Sequence, residues 1–504
     1  MNFSEALIKE ANLTQTENDM TANVSTLSAC LDLFATAPNF RGDIKEIKDN
    51  IHLVMDAIQE NADIAARVLL WIRDIRGDSS GNREFFKHAL RSIEYSHPEL
   101  AYRLALKSIT EIGRFDDVLW LRGIDHKYEH VFTNTVLRKK VYNDIWDILN
   151  NDSNLKFFAA KWLPNENGAK GFVRHEFAKQ LGLSLSYIRK FIQPIRKKGL
   201  IVEQLISQHN WGTIADNFDK IPSLAFKQNL PTFKKYCEIE LQNFFEQVKN
   251  SEKKLNVAVA TPIDIVSPIL NSDHGLNEEY TRTAWREKIN ASLLMDNKQN
   301  VLPIIDTSGS MCDILHNNIR AIDVAVTLGL YFAHSNKGDL KNVAMTFSRK
   351  PRLFELNGDV ISDAKRIFNK SIVEDTNIEA AMQYLLDIAI KNNIPSKQMP
   401  LLVIISDMQF NASTFNYEDD QHNSTLKQYA RHGYDIPKIV YWSVGKYTNT
   451  FPVVKYSRNA AILNGYNPTA LNNILSMVDN NEMDGFTPEK AMLNAVMIPR
   501  YNYL

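Results

Sequence analysis

The stretch VLPIIDTSGSM, residues 301–311, decides the fold of the C-terminal part of this chain. Its mostly apolar beginning is typical of a buried β-strand, which runs directly into Asp306. Ser308 and Ser310 follow at alternate positions, in the predicted turn between this strand and a helix. Because oxygens at alternate positions can be directed at one point, this turn is a candidate ligand site.

The sequence after residue 295 alternates between strand and helix patterns. Continuous apolar runs predict strands in NVLPIID, VAMTFS, RLFEL, MPLLVIISDM and IPKIVYWSVG. Between them, NIRAIDVAVTLGLYFAHS and NIEAAMQYLLDIAIKNN have helical periodicity. The alternation predicts a doubly wound, mainly parallel α/β domain over residues 296–504. Ligands of such sheets bind outside the carboxyl ends of the strands, where Asp306 and Asp407 both fall.

The sequence before residue 295 has a different pattern. Apolar residues recur at helical spacing, as in IHLVMDAIQENADIAARVLLWIRDIRG, and strand-like runs are nearly absent. Gly, Pro, Asn and Asp separate segments of roughly ten to twenty residues. We therefore predict an N-terminal segment at residues 1–20 and an all-helical domain at 21–295. Stacked helical hairpins in a solenoid are the expected architecture, so the fold class is α followed by α/β.

Composition bounds the class of protein. A chain of 504 residues is too long for one ordinary core, and 44% hydrophobic with 23% charged residues is typical of soluble domains. The net charge of -1 means that any basic site must be local. Three separated cysteines fit a reducing compartment. Since we find neither a secretory signal nor a membrane-spanning run, we expect a cytoplasmic protein without a membrane partner.

Two later loops add oxygen donors to the turn after residue 306. Thr376 lies in VEDTNIEAAM and Asp407 in VIISDMQF, each near a predicted strand end. The predicted metal ligands are Asp306, Ser308, Ser310, Thr376 and Asp407. Five oxygen donors with only two charges suit a small hard cation such as Mg²⁺, with positions left for water or a ligand carboxylate. The structural alternative is that these residues are helix caps and turn residues.

The DTSGS motif resembles the DxSxS signature of the metal-ion-dependent adhesion site in von Willebrand factor A domains. Thr376 and Asp407 match the later threonine and aspartate of that signature. The resemblance covers about residues 297–504 and implies direct cation binding by the hydroxyls of Ser308, Ser310 and Thr376. It also implies a binding role rather than catalysis, with a possible protein partner supplying an acidic residue to the cation.

The helical part resembles the TROVE module of Ro-type ribonucleoproteins, in particular a divergent branch of TROVE-like proteins with the same domain order. The similar segments include WIRDIRGDSSGNREFFKHAL, ITEIGRFDDVLWL, AAKWLPNENGAKGFVRHEFAKQLGLSLSYIRKFI and IVEQLISQHNWGTIADNFDKIPSLAF. The resemblance implies a ring of HEAT-like repeats closed by the A domain. It further implies small structured RNA on the outside of the ring and single-stranded RNA ends in its hole. A self-closed ring favours a monomer.

Residues 156–200 form a basic segment, with ten Lys or Arg against two Glu and a local charge of +8. Clustered Lys and Arg side chains supply the sequence-independent part of RNA affinity, and Trp162 and Tyr187 are candidates for base stacking. The alternative is a set of solvated helix faces with the aromatic rings in the core. The candidate RNA contacts are Lys161, Lys170, Arg174, His175, Lys179, Arg189 and Lys190. The resemblance places Arg174, His175 and Lys179 facing the hole.

A second group of arginines, in WIRDIRGDSSGNREF, is interleaved with acidic residues. We interpret these residues, together with Asp116 and Asp117 in GRFDDVLWL, as a scaffold of salt bridges between helical hairpins.

Enzymatic motifs are not found. The sequence has no GxxxxGK[ST] or HExxH motif. In GDSSG, residues 77–81, Gly77 and Gly81 mark a turn between two predicted helices, so this stretch is not the strand-to-helix elbow of GxSxG hydrolases. Phosphatases with an aspartyl nucleophile have the motif DxDx[TS]. In this chain Ser308 stands where that motif has its second aspartate, so the general acid is missing. We therefore predict a non-catalytic RNA-binding protein with a cation site. The alternative is a metal-dependent protein-interaction scaffold for which RNA is irrelevant.

Overall fold

The structure of the chain is a computed structural model. It describes residues 11–41, 44–115, 117, 134–163, 171–198, 201–270, 278–292, 300–316, 318–347, 350–370, 377–411, 421–445, 450–479 and 485–503. Helices and strands are numbered in chain order below.

The first part of the chain is almost entirely helical, as its periodicity predicts. Its helices are α1 (Ala29–Thr36), α2 (Ile44–Asp49), α3 (His52–Arg73), α4 (Arg83–Glu94), α5 (Pro98–Lys107), α6 (Thr135–Asn151), α7 (Ser153–Trp162), α8 (Gly171–Gln180), α9 (Leu185–Lys198), α10 (Val202–Ser207), α11 (Trp211–Asp216), α12 (Ser223–Tyr236), α13 (Glu238–Lys249), α14 (Pro262–Leu270) and α15 (Glu278–Asn290). A short π-helix (Ser108–Ile112) follows α5. From α3 to α7 each helix packs against the next one along the chain, the neighbour-to-neighbour contact pattern of a solenoid.

Polar side chains at the helix starts explain where several of these helices begin. Asn82 accepts a hydrogen bond from Phe85 N over 3.2 Å and caps α4. Asn134 and Asp152 cap α6 and α7 in the same way. Each cap satisfies backbone N–H groups that have no acceptor within the helix.

The second part of the chain contains a six-stranded sheet with the order β10-β9-β8-β3-β6-β7. Its strands are β3 (Val301–Asp306), β6 (Val343–Phe347), β7 (Arg352–Glu355), β8 (Leu401–Ser406), β9 (Ile439–Ser443) and β10 (Ala460–Asn464). Four short strands lie outside this sheet and form two pairs. One pair, near the N-terminus, is β1 (Leu13–Gln15) with β2 (Thr21–Asn23), and the other, soon after β3, is β4 (Ile314–His316) with β5 (Ile319–Arg320). All pairs in the large sheet are parallel except β6 with β7. The prediction of a mainly parallel sheet is confirmed.

Helices cover both faces of this sheet. They are α16 (Ala321–Ser335), α17 (Val360–Lys370), α18 (Ile378–Lys391), α19 (Gln421–Arg431), α20 (Asn472–Asp479) and α21 (Pro488–Val496). Short 3₁₀ helices lie at Ala37–Asn39, Phe218–Lys220, Ser310–Cys312, Ser396–Gln398, Pro468–Leu471 and Pro499–Tyr501. Alternate residues of the strands belong to two cores, Leu302 and Ile304 to one and Val301 and Ile305 to the other. Such burial on both faces explains why the strands are continuous apolar runs.

Every residue of helix α16 is buried. It packs on β3 on one side and on α14 and α15 of the helical part on the other. A helix enclosed in this way is mostly apolar, and its polar side chains find partners inside the protein, as His334 Nε2 does at 3.1 Å from Asp363 Oδ2. Gly329 permits the close approach to the sheet, since a Cβ there would collide with Cδ1 of Ile305.

Both ends of the helical part contact the second part of the chain. Helix α1 packs against β10 and α21, and α14 and α15 pack against α16 and α17. An ion pair adds a further contact at the first end, because Asp74, fully buried at the end of α3, accepts from Nη2 of the exposed Arg500 over 2.9 Å. The hydroxyl of Tyr501 donates to the same carboxylate over 3.2 Å.

The scaffold interpretation of the interleaved arginines fits the structure. Arg73 and Asp117 form an ion pair with both side chains fully buried, and Arg83 adds a second pair to Asp117 at 3.0 Å. These contacts tie α3, α4 and the segment after the π-helix together. Asp116 lies outside the described residues.

The N-terminal residues form a small hairpin of β1 and β2 that the sequence analysis did not predict. It packs on the second part of the chain. Asn23 N donates to Phe451 O over 2.9 Å, and Thr16 Oγ1 donates to Phe410 O over 2.7 Å. Among the helices of the described residues, none is both long and apolar enough to cross a membrane.

Candidate metal centre

The carboxyl ends of β3 and β8 lie side by side. The two strands pair in parallel with Ile304 opposite Ile404 and Ile305 opposite Ile405. This register brings Asp306, the last residue of β3, next to the residues that end β8. Parallel strands that are neighbours finish at the same edge, so the apolar pattern of each strand leads to the same point.

Asp306 is fully buried and both of its carboxylate oxygens accept hydrogen bonds. Ser308 N donates to Oδ1 over 2.9 Å, and Ser406 Oγ donates to Oδ2 over 2.5 Å. The first bond folds the DTSGS turn back on the strand end, and the second joins the turn to β8. Ser406 was not among the predicted site residues, although its place directly before Asp407 at a strand end was a usable signal.

The hydroxyl groups of the turn lie at the same edge. The Oγ atoms of Ser308 and Ser310 are 3.2 Å apart, and Ser310 also hydrogen-bonds to Asp407. Asp407 Oδ1 accepts from Gln409 N over 3.1 Å. Four of the five predicted ligands, Asp306, Ser308, Ser310 and Asp407, are therefore together.

The fifth predicted ligand, Thr376, lies outside the described residues, immediately before the Asn377 that caps α18. Within the described ranges no three His, Cys, Asp or Glu side chains form a metal cluster, and the candidate set itself has two carboxylates and two hydroxyls.

The two carboxyl groups carry negative charge into the protein interior. Burial, and secondly the charge of Asp407, raise the pKa of Asp306 to about 7, against the hydrogen bonds from Ser406 and Ser308. Burial also raises the pKa of Asp407, and the charges of Glu17 and Asp313 add to the effect. In the part of the chain that the structure describes, neither Asp306 nor Asp407 forms an ion pair with Lys or Arg. Hard oxygen donors without a basic partner fit a divalent cation.

The backbone beside Asp407 is constrained. Met408 has a φ of +67°, a left-handed conformation that a bulky side chain rarely adopts. Gly445, after β9, lies so close that a Cβ there would be 2.7 Å from Cβ of Asp407. A strained turn held by close packing is typical of functional sites, where it fixes the direction of a side chain.

The hairpin of β1 and β2 borders this edge of the sheet. Glu17 N donates to Gln409 Oε1 over 2.9 Å, and Asn18 Nδ2 donates to Gln409 O over 2.7 Å. These bonds bring Glu17, an exposed residue, near Asp407. The sequence offered no signal for this acidic neighbour, because Glu17 and Gln409 are 392 positions apart in the chain.

The candidate RNA contacts are distributed over α7, α8 and α9. His175, Lys179, Arg189 and Lys190 are exposed, whereas Lys161 is half-buried above the ring of Trp162. Arg174 is 4% exposed, so it has little surface for a ligand. Lys170 lies outside the described residues.

The two candidate stacking residues have different surroundings. Tyr187 is 52% exposed and lies beside Trp146 with a ring-centre distance of 6.2 Å. Trp162 is half-buried, and Arg114 lies over its ring at 4.0 Å. Tyr187 therefore has the more accessible ring.

Two family models match this chain, and both describe domains of unknown function. DUF2828 matches residues 159–301, and DUF7788 matches residues 300–495. The two matches adjoin at the beginning of β3. The chain is also similar to the Uncharacterized protein L728 of Acanthamoeba polyphaga mimivirus, with 24% identity over 527 residues. The similarity covers 97% of this chain and 89% of the viral protein, so it includes both parts of the fold.

Proposed function

We propose that this protein is a non-catalytic RNA-binding protein of the Ro/TROVE type. In this proposal the helical part binds structured or single-stranded RNA, and a von Willebrand factor A-like domain binds Mg²⁺ for contact with a protein partner. The observation that carries RNA binding is the exposure of His175, Lys179, Arg189 and Lys190 on the consecutive helices α8 and α9. Solvent-accessible Lys and Arg side chains on one segment are what phosphate contacts require, and a histidine ring beside them can add stacking.

The contacts at both ends of the helical part support a ring. Helices α1 and α3 at one end and α14 and α15 at the other all pack on the second part of the chain. A HEAT-like solenoid whose two ends meet the same domain encloses a hole, and such closure leaves no open end for a second copy. The protein is therefore proposed to be a monomer. The three cysteines, all free thiols, fit the cytoplasm as its compartment.

The test is RNA binding by the full chain as a function of salt. In the test variant, Lys179, Arg189 and Lys190 are changed to Ala; in a control of equal charge change, the exposed lysines Lys220, Lys234 and Lys249 are changed to Ala. With single-stranded RNA the salt slope is expected to fall by about 2 in the test variant, since each phosphate contact contributes about 0.7. Protein purified from its native cell should also retain a specific RNA that the test variant loses.

Equal RNA binding by the test and control variants would contradict this surface, and no RNA above background would contradict RNA binding altogether. The second candidate function is a metal-dependent protein scaffold, favoured by the acidic surroundings of Asp407. Partner binding that a chelator abolishes and that salt hardly weakens would support the scaffold instead.

A further inference from the structure

A cavity of about 580 Å³ lies between the helical part and the second part of the chain. Its walls are the loop of residues 251–258 after α13, the last turns of α15, and side chains from α16 and from the loop before α20. The volume is within the usual range for small-molecule sites. None of the candidate metal ligands and no residue of the basic helices α8 and α9 lines the cavity.

Lys288 of α15 lines this cavity and is only 7% exposed. It makes no hydrogen bond or ion pair with any residue that the structure describes; Asp264 and Asp78 act on it only through longer-range charge. Burial lowers the pKa of Lys288, because the surrounding protein disfavours its charged form, while the charges of Asp264 and Asp78 oppose this shift. An anion in the cavity would supply the missing partner.

Two further lysines, Lys253 and Lys254, line the cavity from the loop after α13. The acidic residues of the lining are Asp219 and Glu287, so the lysines outnumber them. Burial raises the pKa of Glu287, against the positive charges of Arg286 and Lys254. Cationic side chains from two walls of one cavity are suited to an anion with several oxygens.

We propose that this cavity binds a small molecule through its phosphate group, which pairs with Lys288, Lys253 and Lys254. The volume exceeds that of a free phosphate ion, so a mononucleotide or another phosphorylated metabolite fits better. Because Tyr331 of α16 and Thr469 also line the cavity, the ligand contacts both parts of the chain. Its binding therefore stabilises the contact between the helical part and the sheet domain.

The test uses the full chain, freed of RNA, with two probes: inorganic phosphate and AMP. Equilibrium dialysis gives the affinity, and thermal unfolding gives the shift in Tm at each probe concentration. Lys288→Met keeps the length and apolar contacts of the side chain, and Lys249→Met on the exposed face of α13 is the matched control. Lys288→Met is expected to weaken binding by about tenfold or more, the effect of one charge-assisted hydrogen bond. The control stays within about twofold of the wild type.

Tighter binding of AMP than of phosphate would identify a nucleotide-sized ligand, and equal binding would identify the phosphate group alone. Unchanged affinity in Lys288→Met, or no binding of either probe at about 10 mM, would overturn the proposal. If circular dichroism shows that Lys288→Met does not fold, the double variant Lys253→Gln/Lys254→Gln, at partly exposed positions, is measured in its place. It is likewise expected to bind the probes about tenfold more weakly than the wild type. RNA binding by Lys288→Met is expected to match the wild type, so failure here is distinct from failure of the RNA proposal.

Discussion

Asp306 and Asp407 lie at the carboxyl ends of the neighbouring parallel strands β3 and β8, and burial raises the pKa of both carboxyl groups. Ser310, which approaches Ser308 and hydrogen-bonds to Asp407, connects the two aspartates through the turn. Two acidic groups in one buried place repel each other, and a cation between them removes that cost. Three predictions follow from this relationship and a fourth from the buried ion pair of the helical part.

Mg²⁺ is expected to stabilise the protein more at pH 8 than at pH 5.5. The pKa of Asp306 is raised to about 7, so the folded state holds a proton that the unfolded state has already released above about pH 4. Its contribution to stability is present below about pH 4 and is lost as the pH rises through 7. At pH 5.5 the cation must displace this proton, which weakens its affinity by roughly thirtyfold. Thermal unfolding with and without Mg²⁺ at the two pH values measures the difference; an equal gain at both would contradict it.

Asp306→Asn is expected to have opposite effects with and without the cation. At pH 8 in a chelator, the variant should be more stable than the wild type, because it removes a buried charge. With Mg²⁺ at about 100 times its Kd, the wild type gains about 2.7 kcal/mol that the variant does not gain. Asp435→Asn, at an exposed position, is the control for the same chemical change. Chemical unfolding measures both free energies, and a full Mg²⁺ response in Asp306→Asn would exclude this residue as a ligand.

Glu17→Gln is expected to weaken Mg²⁺ binding by about twofold at low salt. Glu17 contributes negative charge near Asp407 from an exposed position, where such interactions amount to about 0.2–1 kcal/mol. Screening should remove the effect at roughly 1 M salt. The control is Glu203→Gln, an exposed change on α10. Calorimetric titration of both variants tests the prediction, which fails if they bind Mg²⁺ alike.

Asp117→Asn is expected to destabilise the protein by about 3–5 kcal/mol, because it leaves the fully buried Arg73 without its counter-charge. Glu99→Gln provides the comparison, since Glu99 pairs with Arg103 and Lys140 at the surface. Its cost is expected at about 0–1 kcal/mol. Urea unfolding of both variants measures the two values, and a similar loss in both would argue against the buried pair as a structural tie.

The candidate site was largely predictable because it depends on local patterns. A continuous apolar run ending in Asp306 or Asp407 identifies a buried strand and its carboxyl end, and parallel strands bring such ends together. Strand β10 was missed because AAILN is short and is not preceded by a clear helical pattern. The hairpin of β1 and β2 was missed for a similar reason, since three-residue strands carry almost no periodicity.

By itself, the sequence determined the change from a helical to an α/β part, the mainly parallel sheet and the turn that carries Ser308 and Ser310. Those features follow from backbone periodicity and burial, which act over a few residues. Only the tertiary structure decided that Arg174 is buried, that Glu17 lies near Asp407, and that Asp74 pairs with Arg500 across a separation of 426 residues. Such contacts depend on how distant elements pack, and a single sequence does not show which helix face meets which neighbour.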